Sequence, residues 1–293
     1  MPEDFEAFWR EAANEAQVIR LDYKRSLRNE WDREGFVIET LDFATVGGRR
    51  LHGWFAYPEG ARRLPGFVWI PPYGFESLLP DDYGTRAGMA SLSFNFFGHG
   101  PFHREKYVPG QGYFAEGISS PETWVFRRMV QDVLVALRVL QAQIEVDEDR
   151  IGAMGMSQGG GLAIAAGAWS PIVRSVCADM PFLGNISKTL QGPIYRYPLK
   201  EIVDFMESVP LGEELVRHTV QYFDSRFQAS FCQVPTQVSL GLRDPASRPE
   251  QVRAIFEQLS GTRRLLELPG GHDWHPSMVE DNAAWLNQAW DSV

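Results

Sequence analysis

Residues 150–168 read R-I-G-A-M-G-M-S-Q-G-G-G-L-A-I-A-A-G-A. A short apolar run leads into Ser157, and a small-residue run of helical length follows it, so the serine stands where a strand turns sharply into a helix. The glycines make such a turn possible: Gly155 and Gly159 leave room around a strained serine backbone, and Gly160 lets the helix pack closely. Working outward, similar apolar runs occur at 66–70, 92–96, 174–178, 236–240 and 264–268, alternating with predicted helices at 122–144, 158–169, 249–259 and 276–290. Short, continuously apolar strands alternating with helices are the pattern of a parallel sheet covered on both faces, so the expected fold class is α/β.

The flanks fit around that sheet. Residues 3–17 predict an amphipathic helix with Phe5, Phe8, Trp9 and Ala12 on one stripe. Residues 36–45 and 49–57 alternate apolar and polar positions around V-G-G, which predicts an antiparallel pair. The rhythm breaks at 181–231, where helices are expected near 199–208 and 211–224 with no core strand; this reads as an insertion over the sheet. With no repeat, low-complexity tract or linker, residues 1–293 are expected to form one domain.

Composition narrows the partners. The 28 basic and 38 acidic residues leave a formal charge of −10, which repels nucleic acid and anionic lipid. Acids near the N-terminus and the lack of a long apolar run predict neither a secretory signal nor a membrane span, and hence a cytoplasmic protein. The two cysteines, Cys177 and Cys232, lie in or beside apolar stretches and are expected as buried free thiols. No zinc, redox or other cofactor motif is present, so no metal and no cofactor are expected.

The strand, serine turn and helix together form the nucleophile elbow of the α/β-hydrolase fold, in which Ser157 is the expected nucleophile. The first N–H groups of the following helix can stabilise an oxyanion, which assigns one donor to the backbone of Gln158. A serine hydroxyl needs a histidine base, and the base needs a carboxylate that fixes its tautomer. In this fold they follow in the order Ser, acid, His. His272 ends L-L-E-L-P-G-G-H in a glycine-rich loop after the last strand and is preferred; His275, at a helix start, reads as a cap, and His218 as solvated or structural. Asp244, ending V-S-L-G-L-R-D before Pro245, is the preferred carboxylate, with Asp179 the main alternative and Asp273 disfavoured because adjacent residues point apart. The second oxyanion donor is expected after the first parallel strand, in W-I-P-P-Y-G-F-E-S; Pro71 and Pro72 have no N–H, which leaves Tyr73. Phe75, Phe182 and Trp274 are candidates to line the substrate pocket.

The stretches V-D-E-D-R-I-G-A-M-G-M-S-Q-G-G-G-L-A-I-A, A-D-M-P-F-L, G-L-R-D and G-G-H-D, with the N-terminal P-E-D-F-x-x-F-W and G-Y-F-A-E-G-I-S-S-P-E-T-W-V-F-R-R at 112–128, resemble the acetyl xylan esterase and cephalosporin C deacetylase family, carbohydrate esterase family 7. The resemblance covers nearly the whole chain. It implies Ser157, Asp244 and His272 as triad, Tyr73 and Gln158 as oxyanion donors, metal-free deacetylation of short acyl esters on sugars or similar small molecules, and a hexamer. Two departures stand beside it. This chain has P-P-Y where the family has H-G-Y, and F-F-G-H-G at 96–100 where the family has R-G-Q, with His99 a candidate for the glutamine's place or a loop-stabilising residue. A serine peptidase or acylaminoacyl-type hydrolase of the same fold is the alternative within the class, and a non-catalytic binding protein the alternative outside it.

Overall fold

The computed structural model describes residues 1–27, 31 and 33–290. Strand β4 (Leu64–Ile70) shows why the parallel strands read as unbroken apolar runs. Its Val68 and Ile70 enter one core while Phe67 and Trp69 enter another on the opposite face. Side chains alternate across a strand, so a strand buried on both faces needs an apolar residue at every position.

Among the described residues the sheet has nine strands in the order β1-β2-β3-β5-β4-β6-β7-β8-β9. Strands β1 (Tyr23–Leu27), β2 (Phe36–Ala44) and β3 (Arg50–Pro58) run antiparallel to their neighbours, and β3 joins β5 (Ala90–Asn95) antiparallel. From β5 onward, β4, β6 (Val146–Met156), β7 (Ser175–Asp179), β8 (Thr236–Gly241) and β9 (Arg263–Leu268) are parallel. The six expected parallel strands are all present, within a few residues of their expected ends. Strand β1 was not expected: Y-K-R-S-L lacks an apolar face and lies on the sheet edge, where charge blocks pairing with another chain. Its Arg25 pairs with Glu39 and, at 2.9 Å, with Glu145.

Helix α1 (Phe5–Val18) buries Phe5, Phe8, Trp9, Ala12 and Ala16. Trp9 is fully buried and donates its indole N–H to Tyr222 O at 2.8 Å. Helices α2 (Val125–Gln141) and α3 (Gln158–Trp169) pack on the same face of the sheet as α1. On that face α2 carries the buried Asp132, which takes Arg49 at 2.6 Å and the Thr45 hydroxyl at 2.6 Å. The opposite face is closed by the tryptophans of the last helix.

Between β7 and β8 the chain leaves the sheet for α4 (Ile186–Thr189), α5 (Leu199–Ser208), α6 (Gly212–Val220) and α7 (Ser225–Phe231). The helix expected at 211–224 therefore stops at Val220. A 3-10 turn at Gln221–Phe223 buries Tyr222 and Phe223, and the Asp224 carboxylate then accepts from Arg226 N–H and caps a new helix, α7. Helix α8 (Pro249–Gln258) follows β8, and α9 (Ser277–Trp290) follows β9. Cys177 and Cys232 are buried free thiols, with burial pushing both up from their ordinary value, Cys232 to about 11. No helix among the described residues is long and apolar enough to cross a membrane.

The strand order places the site. The chain passes from β4 outward to β5 and then returns to the other side of β4 for β6, so the loops leaving β4 and β6 diverge. A crevice opens at the carboxyl ends of strands where the order reverses in this way. Tyr73 follows β4 and Ser157 follows β6, so both flank that point.

Candidate active site

Ser157 holds φ +58° and ψ −118° between β6 and α3. A non-glycine residue there stores roughly 1–3 kcal/mol of strain and persists only when its surroundings enforce it. They do: Ser157 N–H donates to Asp179 O at 2.8 Å, and Ser157 O accepts from Gly161 N–H and Phe182 N–H, each at 3.0 Å. The adjoining Gly159 is required by close approach, because a Cβ there would lie 2.2 Å from Ile70 O of β4. As the first helical residue, Gln158 has an N–H without an intrahelical acceptor.

Asp244 and His272 reach the same end of the sheet from the loops after β8 and β9. Those loops are laced together by Leu242 N–H to Leu268 O at 2.8 Å and Arg243 N–H to Gly270 O at 3.0 Å. Gly241 permits the approach, since a Cβ on it would lie 2.3 Å from Gly271 O. Asp244 is 3% exposed. Its Oδ2 bonds His272 Nδ1 at 2.6 Å, while Oδ1 accepts from Ala246 N–H at 2.7 Å and Ser247 N–H at 2.9 Å. The structure thus joins His272 to Asp244. Among the hydrogen bonds of the described residues there is none from the Ser157 hydroxyl to the imidazole, a contact that in free enzymes is often long and tightens only with substrate bound.

The other candidates have different partners. Asp179 is the buried last residue of β7, where Ser239 Oγ donates at 2.6 Å and Asn282 Nδ2 at 2.7 Å; burial pushes its carboxyl up against the pull of those bonds. Asp273 is exposed. His275 Nδ1 shares a 2.9 Å hydrogen bond with Ser277 Oγ at the start of α9, and His218 is exposed on α6. His52 also meets a carboxylate, Asp42, at 2.6 Å, but within the antiparallel β2–β3 pair.

Tyr73 sits in an aromatic nest, its ring centroid 4.6 Å from Tyr113, 5.4 Å from Tyr107 and 5.5 Å from Phe114. Its hydroxyl donates to Glu201 Oε1 at 2.6 Å. Burial first, and the Glu201 carboxylate second, hold this phenol far above its usual range, so it remains a donor. The Tyr113 hydroxyl accepts from Gly74 N–H at 3.1 Å and lies 3.2 Å from Gln158 Oε1, so one side chain bridges the loop after β4 and the first residue of α3.

His99 is exposed, and its ring lies 5.6 Å from that of His103. The loop at 96–100 is organised instead by the buried Asn95, which donates to Phe75 O and Ser77 Oγ and accepts from the N–H groups of Phe97 and Gly98. A cavity of about 820 Å³ opens beside His272, bordered by Phe182, Pro245 and, from the insertion, Tyr195, Tyr197 and Leu199. That is room for a small-molecule ligand. Phe75 instead packs on Phe97 and Tyr113, and Trp274 packs on Trp69 and Tyr83 away from this cavity. No cluster of three or more His, Cys, Asp or Glu residues suited to a metal occurs among the described residues.

Glu201, Tyr113 and Asn95 are the residues that sequence reading missed. Glu201 looks like any acid in the first turn of an amphipathic helix, where the dipole already explains it. The apolar Ile202 beside it, buried in the core, and Phe205 one turn further on, packed against that core, mark that side of the helix as buried.

Known proteins agree with this architecture. An acetyl xylan esterase from Paenibacillus sp. R4 superposes with a TM-score of 0.86 at 25% identity, covering 98% of this chain and 95% of that one. Acetyl xylan esterase 1 from Thermoanaerobacterium sp. JW/SL YS485 gives 0.85 at 23% identity, covering 98% and 94%. The acetyl esterase Axe7A of Xylanibacter ruminicola is 19% identical over 299 residues, spanning 98% of this chain and 67% of that protein. The family model described as acetyl xylan esterase (AXE1) matches residues 1–288, and the chain therefore belongs to that family of ester hydrolases.

Proposed function

We propose that this chain is a serine carboxylesterase that removes acetyl-type groups from small, carbohydrate-like alcohols through Ser157, His272 and Asp244. The observation that carries the reading is the 2.6 Å bond from Asp244 to His272 Nδ1 at the strand ends that also present the strained Ser157. With Nδ1–H directed at the carboxylate, Nε2 is left as the base. It takes the Ser157 proton as Oγ attacks the ester carbonyl, and the Tyr73 and Gln158 N–H groups receive the developing oxyanion. Collapse expels the alcohol, which takes its proton from the imidazolium. Water then attacks the acetyl-enzyme, again with His272 as base, releasing acetate and the free serine. One domain, a hexameric assembly and a cytoplasmic site of action belong to the same proposal and rest on sequence and family resemblance.

A peptidase reading has less support, because the chain matches an esterase family over nearly its full length. The test compares hydrolysis of an aryl acetate and of a peptide anilide by the native protein and by Ser157→Ala. Turnover of the acetate alone, lost in Ser157→Ala together with fluorophosphonate labelling, is expected. A fully active Ser157→Ala variant would refute the nucleophile, preference for the anilide would favour the peptidase, and folded native protein that neither turns over nor labels would favour a binding protein.

A further inference from the structure

The loop that carries Tyr73 has no regular structure, and the two prolines before it contribute no backbone donors. An oxyanion donor must nevertheless sit still, because misplacing a reacting group by about 1 Å costs roughly 100-fold in rate. We propose that Glu201, on insertion helix α5, is the positioning residue that fixes this loop, so that the Tyr73 N–H faces the developing oxyanion. This rests on the oxyanion role given to Tyr73 above.

Three donors converge on the Glu201 carboxylate. Oε1 accepts from Tyr73 Oη at 2.6 Å and Tyr107 Oη at 3.1 Å, and Oε2 accepts from Phe114 N–H at 2.8 Å. Bonds to an ionised acceptor are about twice as strong as neutral ones. Glu201 is only 6% exposed, and among the described residues no lysine, arginine or histidine pairs with it. A buried carboxylate without a counter-ion is a poor way to gain stability, since an apolar side chain of similar size avoids its desolvation. What it supplies is direction: three points on two loops are tied to one helix. The tie is also tightly enclosed, because a Cβ on Gly112 would fall 1.6 Å from Tyr73 Oη and 2.3 Å from Glu201 Oε1.

The same network reaches the other donor. Tyr113, packed on the Tyr73 ring, accepts from Gly74 N–H and reaches the Gln158 side chain. Helix α5 begins at Leu199, which borders the cavity beside His272, so one element both borders that cavity and holds the loop that carries Tyr73.

Glu201→Gln and Tyr73→Phe test this with an aryl acetate. Gln keeps an acceptor but turns an NH2 toward a donor; Phe removes only the hydroxyl and leaves the backbone N–H of residue 73 in place. Each is expected to lower kcat by roughly 10- to 100-fold with KM within about 3-fold. Phenylboronic acid, which forms a tetrahedral adduct on a serine, should bind more weakly by the same factor. The double variant should be no worse than Glu201→Gln alone, because both disturb the same Tyr73–Glu201 bond. Folded variants with kcat within about 3-fold of native overturn the proposal, as does a kcat loss with unchanged boronate affinity. If Glu201→Gln does not fold, Tyr73→Phe decides by the same criteria. Ser157→Ala run in parallel separates the failures: turnover that persists there removes the underlying esterase reading, whereas turnover lost there with Glu201→Gln unaffected removes only the role of Glu201.

Discussion

Replacing Asp244 with asparagine changes one atom, and the hydrogen bonds around that side chain determine the consequence. Oδ1 is held by the N–H groups of Ala246 and Ser247 at 2.7 and 2.9 Å, and Oδ2 faces His272 Nδ1 at 2.6 Å. An asparagine must therefore place its carbonyl oxygen toward the two backbone donors, because the reverse orientation sets its NH2 against them. Its NH2 then points at Nδ1, which can only accept, and the ring proton moves to Nε2. The base is lost while the geometry stays intact. In a serine triad this tautomer change lowers kcat by roughly 10⁴-fold, equivalent to about 5.4 kcal/mol at 1.36 kcal/mol per tenfold change. Fold stability should fall far less, by about 1 kcal/mol, because each partner keeps a neutral hydrogen bond. Initial rates on an aryl acetate near neutral pH, alongside urea unfolding, provide the measurement. An Asp244→Asn protein that folds normally and keeps activity within about tenfold of native would refute the assignment of His272 and Asp244 as base and orienting acid.

Two further perturbations address the frame around the site. Gly159→Ala drives a methyl group to 2.2 Å from a backbone oxygen of β4, which cannot rotate aside, so a loss of about 1–3 kcal/mol in urea unfolding and an activity loss well beyond the fraction unfolded are expected; unchanged rates would mean that the elbow is less confined than the structure shows. Glu145 is pushed up by burial, but its bonds to Arg25 and the charge of that residue outweigh this and hold its carboxyl below the ordinary 4.5. A folded value below the unfolded one means that the contribution is fully present above about pH 4.5 and is lost as pH falls through the folded value. Glu145→Gln should therefore destabilise the protein by about 1–2 kcal/mol at pH 7, with the gap to native shrinking below pH 4, as read by urea midpoints across that range; a gap that widens in acid would contradict the sign.

Much of the fold was legible along the chain because its causes are local. Val68 and Ile70 face one core and Phe67 and Trp69 the other, so β4 had to be apolar throughout and could be recognised as a central strand. The elbow was legible for a similar reason, since the approach of α3 to β4 leaves no space for a side chain at position 159. Chain order pointed to Asp244 and His272 as partners, and in the structure they share a hydrogen bond. Strand β1 was missed because an edge strand needs no apolar periodicity, and α7 because Asp224 restarts a helix within a run that reads continuously. His99 was a candidate for the place of the family's glutamine or for stabilising its loop, yet it is exposed and the buried Asn95 organises that loop.

The serine at position 157 therefore shows where the boundary lies. Its strand, its glycines and its helix are sequence neighbours, so the turn is legible along the chain, while bonds to Asp179 and Phe182 hold its strained backbone. The surroundings of that turn come from residues far apart in the chain: the 28-residue step from Asp244 to His272, and the 128-residue step from Tyr73 to Glu201. A hydrogen bond depends on distance and direction in space. No periodicity or spacing encodes that for residues on separate loops, and only the packing of sheet, insertion and helices against one another decides it.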